Sequence, residues 1–179
     1  MLEDIEKSKK VRLPKKITKQ RLKNIALYYL KRFDSSIDNL RQVLKRRVLD
    51  YAYHNPEWNK SESLEWIEEI LSDFEGYGYL NDERFAEIKV NSYLSSSKSA
   101  RYIVNKLKAK GISESVIDEL LEKHEYDAFS VALDLARKKK IGPYRAEEQR
   151  KEFRQKDIGV LIRAGFEYDV VMQVLAYEV

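Results

Sequence analysis

Glu75-Gly76-Tyr77-Gly78-Tyr79-Leu80-Asn81-Asp82-Glu83-Arg84-Phe85-Ala86 is the stretch on which the fold of this chain turns. Glycine tolerates the left-handed backbone that closes a helix, so Gly76 or Gly78 ends one helix. Asn81 is a good N-cap, Asp82 and Glu83 then sit at the positive end of the next helix dipole, and Leu80 is placed to staple onto Phe85. The stretch is a joint between two helices. A dinucleotide-binding reading of Gly-Tyr-Gly fails, because no β-branched strand precedes it and the third glycine is missing.

Working outward, the composition agrees with a helical chain. Only 6 Gly and 3 Pro occur in 179 residues, which favours long uninterrupted helices over a turn-rich β fold. Charged residues make up 36% and mean hydropathy is −0.61, so much of every helix faces water, while 43% hydrophobic residues are too many for a disordered chain. Cysteine is absent, which removes disulfides and thiolate metal sites. No apolar run approaches the roughly 18 residues of a membrane span, and the N-terminus lacks a signal-peptide core, so a cytoplasmic location is expected.

The net charge of +4 hides strong segregation. Residues 1–24 and 136–156 each carry nine basic residues against three acids, whereas 57–87 carries ten acids against Lys60 and Arg84. Such polarity suits a chain that meets a polyanion with one surface and a basic protein with another.

The apolar spacing predicts nine helices. Residues 1–17 are basic, broken by Pro14, and read as a mobile arm. Thr18 caps a first helix to about Phe33, and Ser35-Ser36-Ile37-Asp38 forms a capping box for a second, which runs through Val48 and Ala52 to Asn55-Pro56. A third starts at Ser61 or Ser63. The fourth follows the joint, Ser95-Ser96-Ser97 breaks and recaps the chain, and the fifth runs to Lys110 before Gly111. The sixth opens at Ser113, the seventh stops at Gly142-Pro143, the eighth spans Arg145 to Ala164 with Gly159 inside it, and the ninth runs from Tyr168 to Tyr177. An internal repeat organises them. Trp66-Ile67/Ile70-Leu71, Val116-Ile117/Leu120-Leu121 and Val170-Val171/Val174-Leu175 share one spacing, while Leu107–Ile112 and Leu161–Phe166 lie 54 residues apart. The expected architecture is all-α: an elongated, curved array of three tandem three-helix repeats over 18–80, 81–125 and 126–179. The first repeat contains an insertion at about 48–60.

Candidate sites are basic. Lys98, Arg101, Asn105 and Lys108 share a helical face, with Lys106 and Lys110 beside it. Lys45, Arg46 and Arg47 occupy the equivalent place in the first repeat. Arg137, Lys138, Lys139 and Lys140 end the seventh helix, and Arg145, Arg150 and Arg154 follow. Each cluster also reads as a solvated helix end, but recurrence at equivalent repeat positions favours a shared surface for phosphate contacts. Tyr77, Tyr79 and Tyr144 sit at joints, where a base-stacking role is open. His54 and His124 lack a second ligand at metal spacing, and no catalytic constellation, metal site or cofactor loop emerges. A non-enzymatic protein without cofactors is expected.

Gly78-Tyr79-Leu80-Asn81-Asp82-Glu83-Arg84-Phe85-Ala86 resembles the central motif of the RecX regulators of the RecA recombinase. Ala26 with Tyr29-Leu30 and Ser35-Ser36 resembles that family's first-repeat pattern, Leu107–Ile112 its second, and Arg163-Ala164-Gly165-Phe166 its third. The similarity runs from about Lys19 to Glu178. It implies a helical array lodged in the groove of the RecA–DNA filament, most often restraining filament extension, ATP hydrolysis and strand exchange in DNA repair and the SOS response. Some members also bind DNA, and the resemblance brings no catalytic residues. A monomer partnering the RecA filament, and single- or double-stranded DNA, is therefore expected. A stand-alone DNA-binding protein or an acid-faced scaffold are the alternatives.

Overall fold

A computed structural model describes residues 14–178. Among these, every regular element is helical: α1 (Lys19–Leu30), α2 (Ile37–His54), α3 (Ser61–Gly76), α4 (Asp82–Ser95), α5 (Ala100–Lys108), α6 (Glu114–Lys123), α7 (Ala128–Lys139), α8 (Glu147–Arg163) and α9 (Tyr168–Ala176), with a 3₁₀ turn at Gly142–Tyr144. None of these helices is long and apolar enough to cross a membrane.

Local chemistry explains the starts. Thr18, Asn81, Ser99, Ser113 and Asp127 each accept a backbone N–H from three residues ahead, and Ser36 does the same for Asn39. The ends of α3 through α8 share one device. The N–H of Tyr79, Lys98, Ile112, Tyr126, Ile141 and Phe166 reaches back five residues to a helical carbonyl, and the residue before each lies at positive φ. Three of those left-handed residues are Gly78, Gly111 and Gly165, while the other three are Ser97, Glu125 and Lys140. At the joint the left-handed glycine is therefore Gly78, and Gly76 is the last helical residue.

Two compact units form. The first comprises residues 14–34 and Leu40–Tyr79. Its core takes Leu22 and Ala26 from α1, Leu40, Leu44 and Val48 from α2, and Ile67, Ile70, Leu71 and Phe74 from α3, all at most 2% exposed. Lys19 pairs with Glu69, and Arg41 Nε lies 2.9 Å from Glu68, tying α1 and α2 to the acidic helix α3. The arm expected over 1–17 falls outside the described residues up to Leu13, and Ile17 is buried. The first helix ends at Leu30, short of Phe33, where the Arg32 amide turns back only three residues onto the Tyr29 carbonyl. The 48–60 insertion is mostly helix: α2 has 18 residues against 9 in α5, and Val48 keeps the longer helix anchored in the core.

The second unit comprises Ser35–Asn39 and residues 80–178. It holds two cores. One joins Phe85, Ala86 and Val90 of α4 to Ile103 and Leu107 of α5 and Ile117 of α6. The other joins Ala132 and Ala136 of α7 to Leu161 of α8 and Val171 and Val174 of α9. The nearest group to the missing Cβ of Gly159 in α8 is the guanidinium of Arg163, one turn on in the same helix.

Candidate binding surfaces

The second unit repeats one joint twice. Ser36 Oγ donates to the Lys110 carbonyl at 2.6 Å, and Ser99 Oγ donates to the Ala164 carbonyl at 2.7 Å. The next amide along is held too: Ile37 N–H donates to Asp82 Oδ1 at 2.8 Å, and Ala100 N–H donates to the Tyr126 hydroxyl at 2.9 Å. Burial holds the Tyr126 phenol above its ordinary range, so it stays neutral in that role. Each joint needs a residue without a side chain. A Cβ on Gly111 would lie 2.5 Å from Asp38 Cβ, and one on Gly165 would lie 2.6 Å from Ser99 Oγ and 3.5 Å from Arg101 Cβ. Asp38 and Arg101 stand two residues after the two capping serines, so the same surfaces meet in both places.

Around this frame the predicted cations divide into two groups. Several are engaged within the protein. Lys138 donates to the Ser95 carbonyl (2.9 Å) and Ser97 Oγ (2.7 Å), which explains why Ser97 is buried at positive φ. Lys110 donates to Asn39 Oδ1 at 2.6 Å, Lys108 pairs with Glu114 at 2.7 Å, and Arg137 pairs with Asp134 at 2.6 Å. Arg150 donates to the carbonyls of Arg145 (2.9 Å) and Pro143 (2.7 Å), and Arg154 lies 3.7 Å from Met172 Sδ.

Arg145 is the furthest from a ligand-binding role. Its guanidinium grips Asp157 through Nε (3.0 Å) and Nη2 (2.7 Å) and stacks 4.6 Å over the Phe153 ring. Asp157 is 1% exposed and also accepts the Gly142 amide at 2.9 Å. Burial pushes this carboxyl up, yet Arg145 and the amide outweigh it and hold the group below the usual carboxylate range. Sequence reading missed Asp157 because it looks like one more charge on a helix that is charged all round. An aspartate flanked by apolar Ile158 and Leu161 was the available signal.

The remaining cations are turned to solvent. Arg47, Arg101, Lys106, Lys139 and Lys140 are exposed, with no carboxylate in ion-pair range among the described residues. Lys98 and Lys106 flank the Tyr102 ring at 5.1 and 5.5 Å, so the α5 face combines charge with a half-buried aromatic. Arg46 and Arg47 line a groove on the first unit beside half-buried Lys45. Tyr77 and Tyr79 are exposed, while Tyr144 packs on the core of α7–α9. The described residues hold no cluster of three or more metal-ligating side chains.

These features define a helical protein of repeated three-helix clusters, joined by a serine–carbonyl clasp and decorated with solvent-facing cations. A family model described as "RecX, second three-helix domain" matches residues 81–121. The regulatory protein RecX of Myxococcus xanthus is 35% identical over 176 residues, covering 96% of this chain and 93% of its own. That of Haemophilus influenzae is 31% identical over 126 residues, 70% and 82% of the two chains. The crystal structure of RecX from Lactobacillus salivarius superposes with a TM-score of 0.63 over 88% of this chain and 94% of that one, at 19% identity, and so shares the fold. The chain belongs to the RecX family of regulatory proteins.

Proposed function

We propose that this protein is a non-enzymatic regulator of a RecA-type recombinase, acting in the cytoplasm as a monomer. It binds in the groove of the recombinase–DNA filament and restrains ATP hydrolysis, filament extension and strand exchange during DNA repair and the SOS response. The repeats at 18–80, 81–125 and 126–179 supply the contacts. The observation that carries this reading is the near full-length similarity to proteins named as RecX regulators. Solvent-facing Arg47 and Arg101, on α2 and α5, support it as contacts to a negatively charged filament. The test is DNA-dependent ATP hydrolysis and strand exchange by a purified recombinase with stoichiometric protein added at low salt. Both fall if the reading is right, and no change in either rejects it.

A second reading, direct contact with DNA, is favoured by one specific observation. The groove between α1 and α2 combines aromatic and arginine side chains.

A further inference from the structure

Among α7, α8 and α9 lies a cavity of about 250 Å³ lined by Gly142, Arg150, Lys151, Arg154, Asp157 and Leu175. Arg150, Lys151 and Arg154 fall within one turn of α8 and so neighbour one another on its surface. The acids Glu147, Glu148 and Glu152 of the same helix are exposed and lie outside the lining. Asp157, the one carboxylate in the lining, is already matched: it accepts Arg145 Nη2 at 2.7 Å and the Gly142 amide at 2.9 Å. The three cations are not matched. Arg150 donates through Nε and Nη2 to the carbonyls of Arg145 (2.9 Å) and Pro143 (2.7 Å), which fixes the guanidinium but leaves its charge uncompensated, since a carbonyl carries no net charge. Two of its five N–H groups are used, so the rest of the fork is free to donate. Arg154 meets only Met172 Sδ, at 3.7 Å, and Lys151 is exposed. Among the described residues none of the three has a carboxylate in ion-pair range.

We propose that this cavity binds the terminal phosphate of a small phosphorylated molecule, with Arg150 as a fixed fork and Lys151 and Arg154 closing on the remaining oxygens. A terminal phosphate carries a charge of about −1.5 to −2 at pH 7, whereas each phosphodiester carries a single one. Charge concentrated at one point calls for cations gathered around one concavity, while a nucleic-acid backbone calls for cations spaced along a track. The guanidinium fork suits paired phosphate oxygens, and a guanidinium held in place beforehand loses less freedom on binding. Leu175 forms an apolar wall that offers no competing acceptor. The cavity is smaller than the roughly 300–1,000 Å³ of pockets that enclose a drug-sized molecule, so it takes the phosphate and leaves the rest of the ligand outside. Inorganic phosphate and a nucleoside monophosphate share this chemistry. The site does not rest on the recombinase reading.

The experiment is isothermal titration calorimetry on the full chain, in chloride buffer at fixed ionic strength. The probes are inorganic phosphate, adenosine monophosphate and cyclic adenosine monophosphate, which keeps the base but has no terminal phosphate. Adenosine monophosphate should bind at least about tenfold more tightly than the cyclic diester, the difference made by one charge-assisted hydrogen bond. Inorganic phosphate binding as tightly as the nucleotide assigns the site to free phosphate; weaker binding assigns it to a phosphorylated small molecule. Lys151→Gln and Arg154→Gln, at exposed positions and checked by circular dichroism for intact helix, should each weaken adenosine monophosphate by about tenfold. Lys106→Gln, which removes an exposed cation from α5, should leave it unchanged. Equal affinity for the cyclic diester, no binding of any probe at millimolar concentration, or an equal loss in Lys106→Gln overturns the proposal. So does displacement of the nucleotide by an oligothymidine that lacks a terminal phosphate, which would make the cavity part of a backbone track. A protein without effect on a recombinase leaves every one of these outcomes as stated and rejects only the filament reading.

Discussion

Replacing Gly165 by alanine strikes the joint at Ser99 directly. At φ +94 any L side chain is strained, at roughly 1–2 kcal/mol. The new methyl would also sit 2.6 Å from Ser99 Oγ, so the hydroxyl must leave the Ala164 carbonyl it now meets at 2.7 Å. Losing that bond and stranding a part-buried carbonyl costs about 1–3 kcal/mol more. Gly165→Ala should therefore destabilise by about 2–5 kcal/mol, read as a lower urea midpoint with an unchanged slope. Ser99→Ala alone loses the bond to the Ala164 carbonyl and the cap on the Tyr102 amide, about 1–3 kcal/mol. The double variant is the decisive one. With the oxygen gone, the methyl has less to collide with, and the hydrogen bond cannot be lost twice. The double change should fall short of the sum of the single changes by 1 kcal/mol or more. Additivity within about 0.5 kcal/mol would show that the serine and the glycine act separately, and the joint as described would be wrong.

Asp157→Asn should destabilise by about 3 kcal/mol, since it leaves the Arg145 guanidinium without its charge partner. Because the folded carboxyl lies below its ordinary value, the gap between wild type and variant should be full above about pH 5 and narrow as pH falls through the depressed value. A gap independent of pH down to acid unfolding refutes the pairing. Gly159→Ala should raise the melting temperature, worth about 1 kcal/mol, because the three atoms nearest the new methyl belong to the flexible tip of Arg163; a lower temperature would reveal an unseen constraint on α8. Reversing Lys108 and Lys110 to glutamate should weaken recombinase or DNA binding with helicity intact, since their partners Glu114 and Asn39 are surface contacts. Loss of helical signal in circular dichroism would make those lysines structural.

Much of the helical order was legible in the chain. Thr18, Asn81 and Ser113 cap the helices their positions announce, because a capping side chain reaches only two or three residues ahead, whereas the fifth helix is capped by Ser99 and not within Ser95-Ser96-Ser97. Helix ends were half legible. Gly78, Gly111 and Gly165 mark three of the six left-handed terminations, but Ser97, Glu125 and Lys140 adopt the same conformation with no glycine to signal it. Ser97 shows how: Lys138, 41 residues away, fixes it by a hydrogen bond that no local pattern encodes. The basic clusters were visible as charge, yet their roles were not. Arg145 and Arg150 share a cluster with Arg154, and the fold uses both to tie down the Gly142–Tyr144 turn.

The sequence by itself thus determined the nine helices, most of their caps and the spacing of the repeated apolar faces, since these depend on periodicity and contacts within one or two turns. Only the tertiary structure decided which polar groups are engaged: Ser36 with Lys110, 74 residues on, Ser99 with Ala164, 65 residues on, and Arg145 with a buried Asp157. Hydrogen bonds and ion pairs act over a few ångströms of space, and which cations remain for a ligand follows from that proximity rather than from order along the chain.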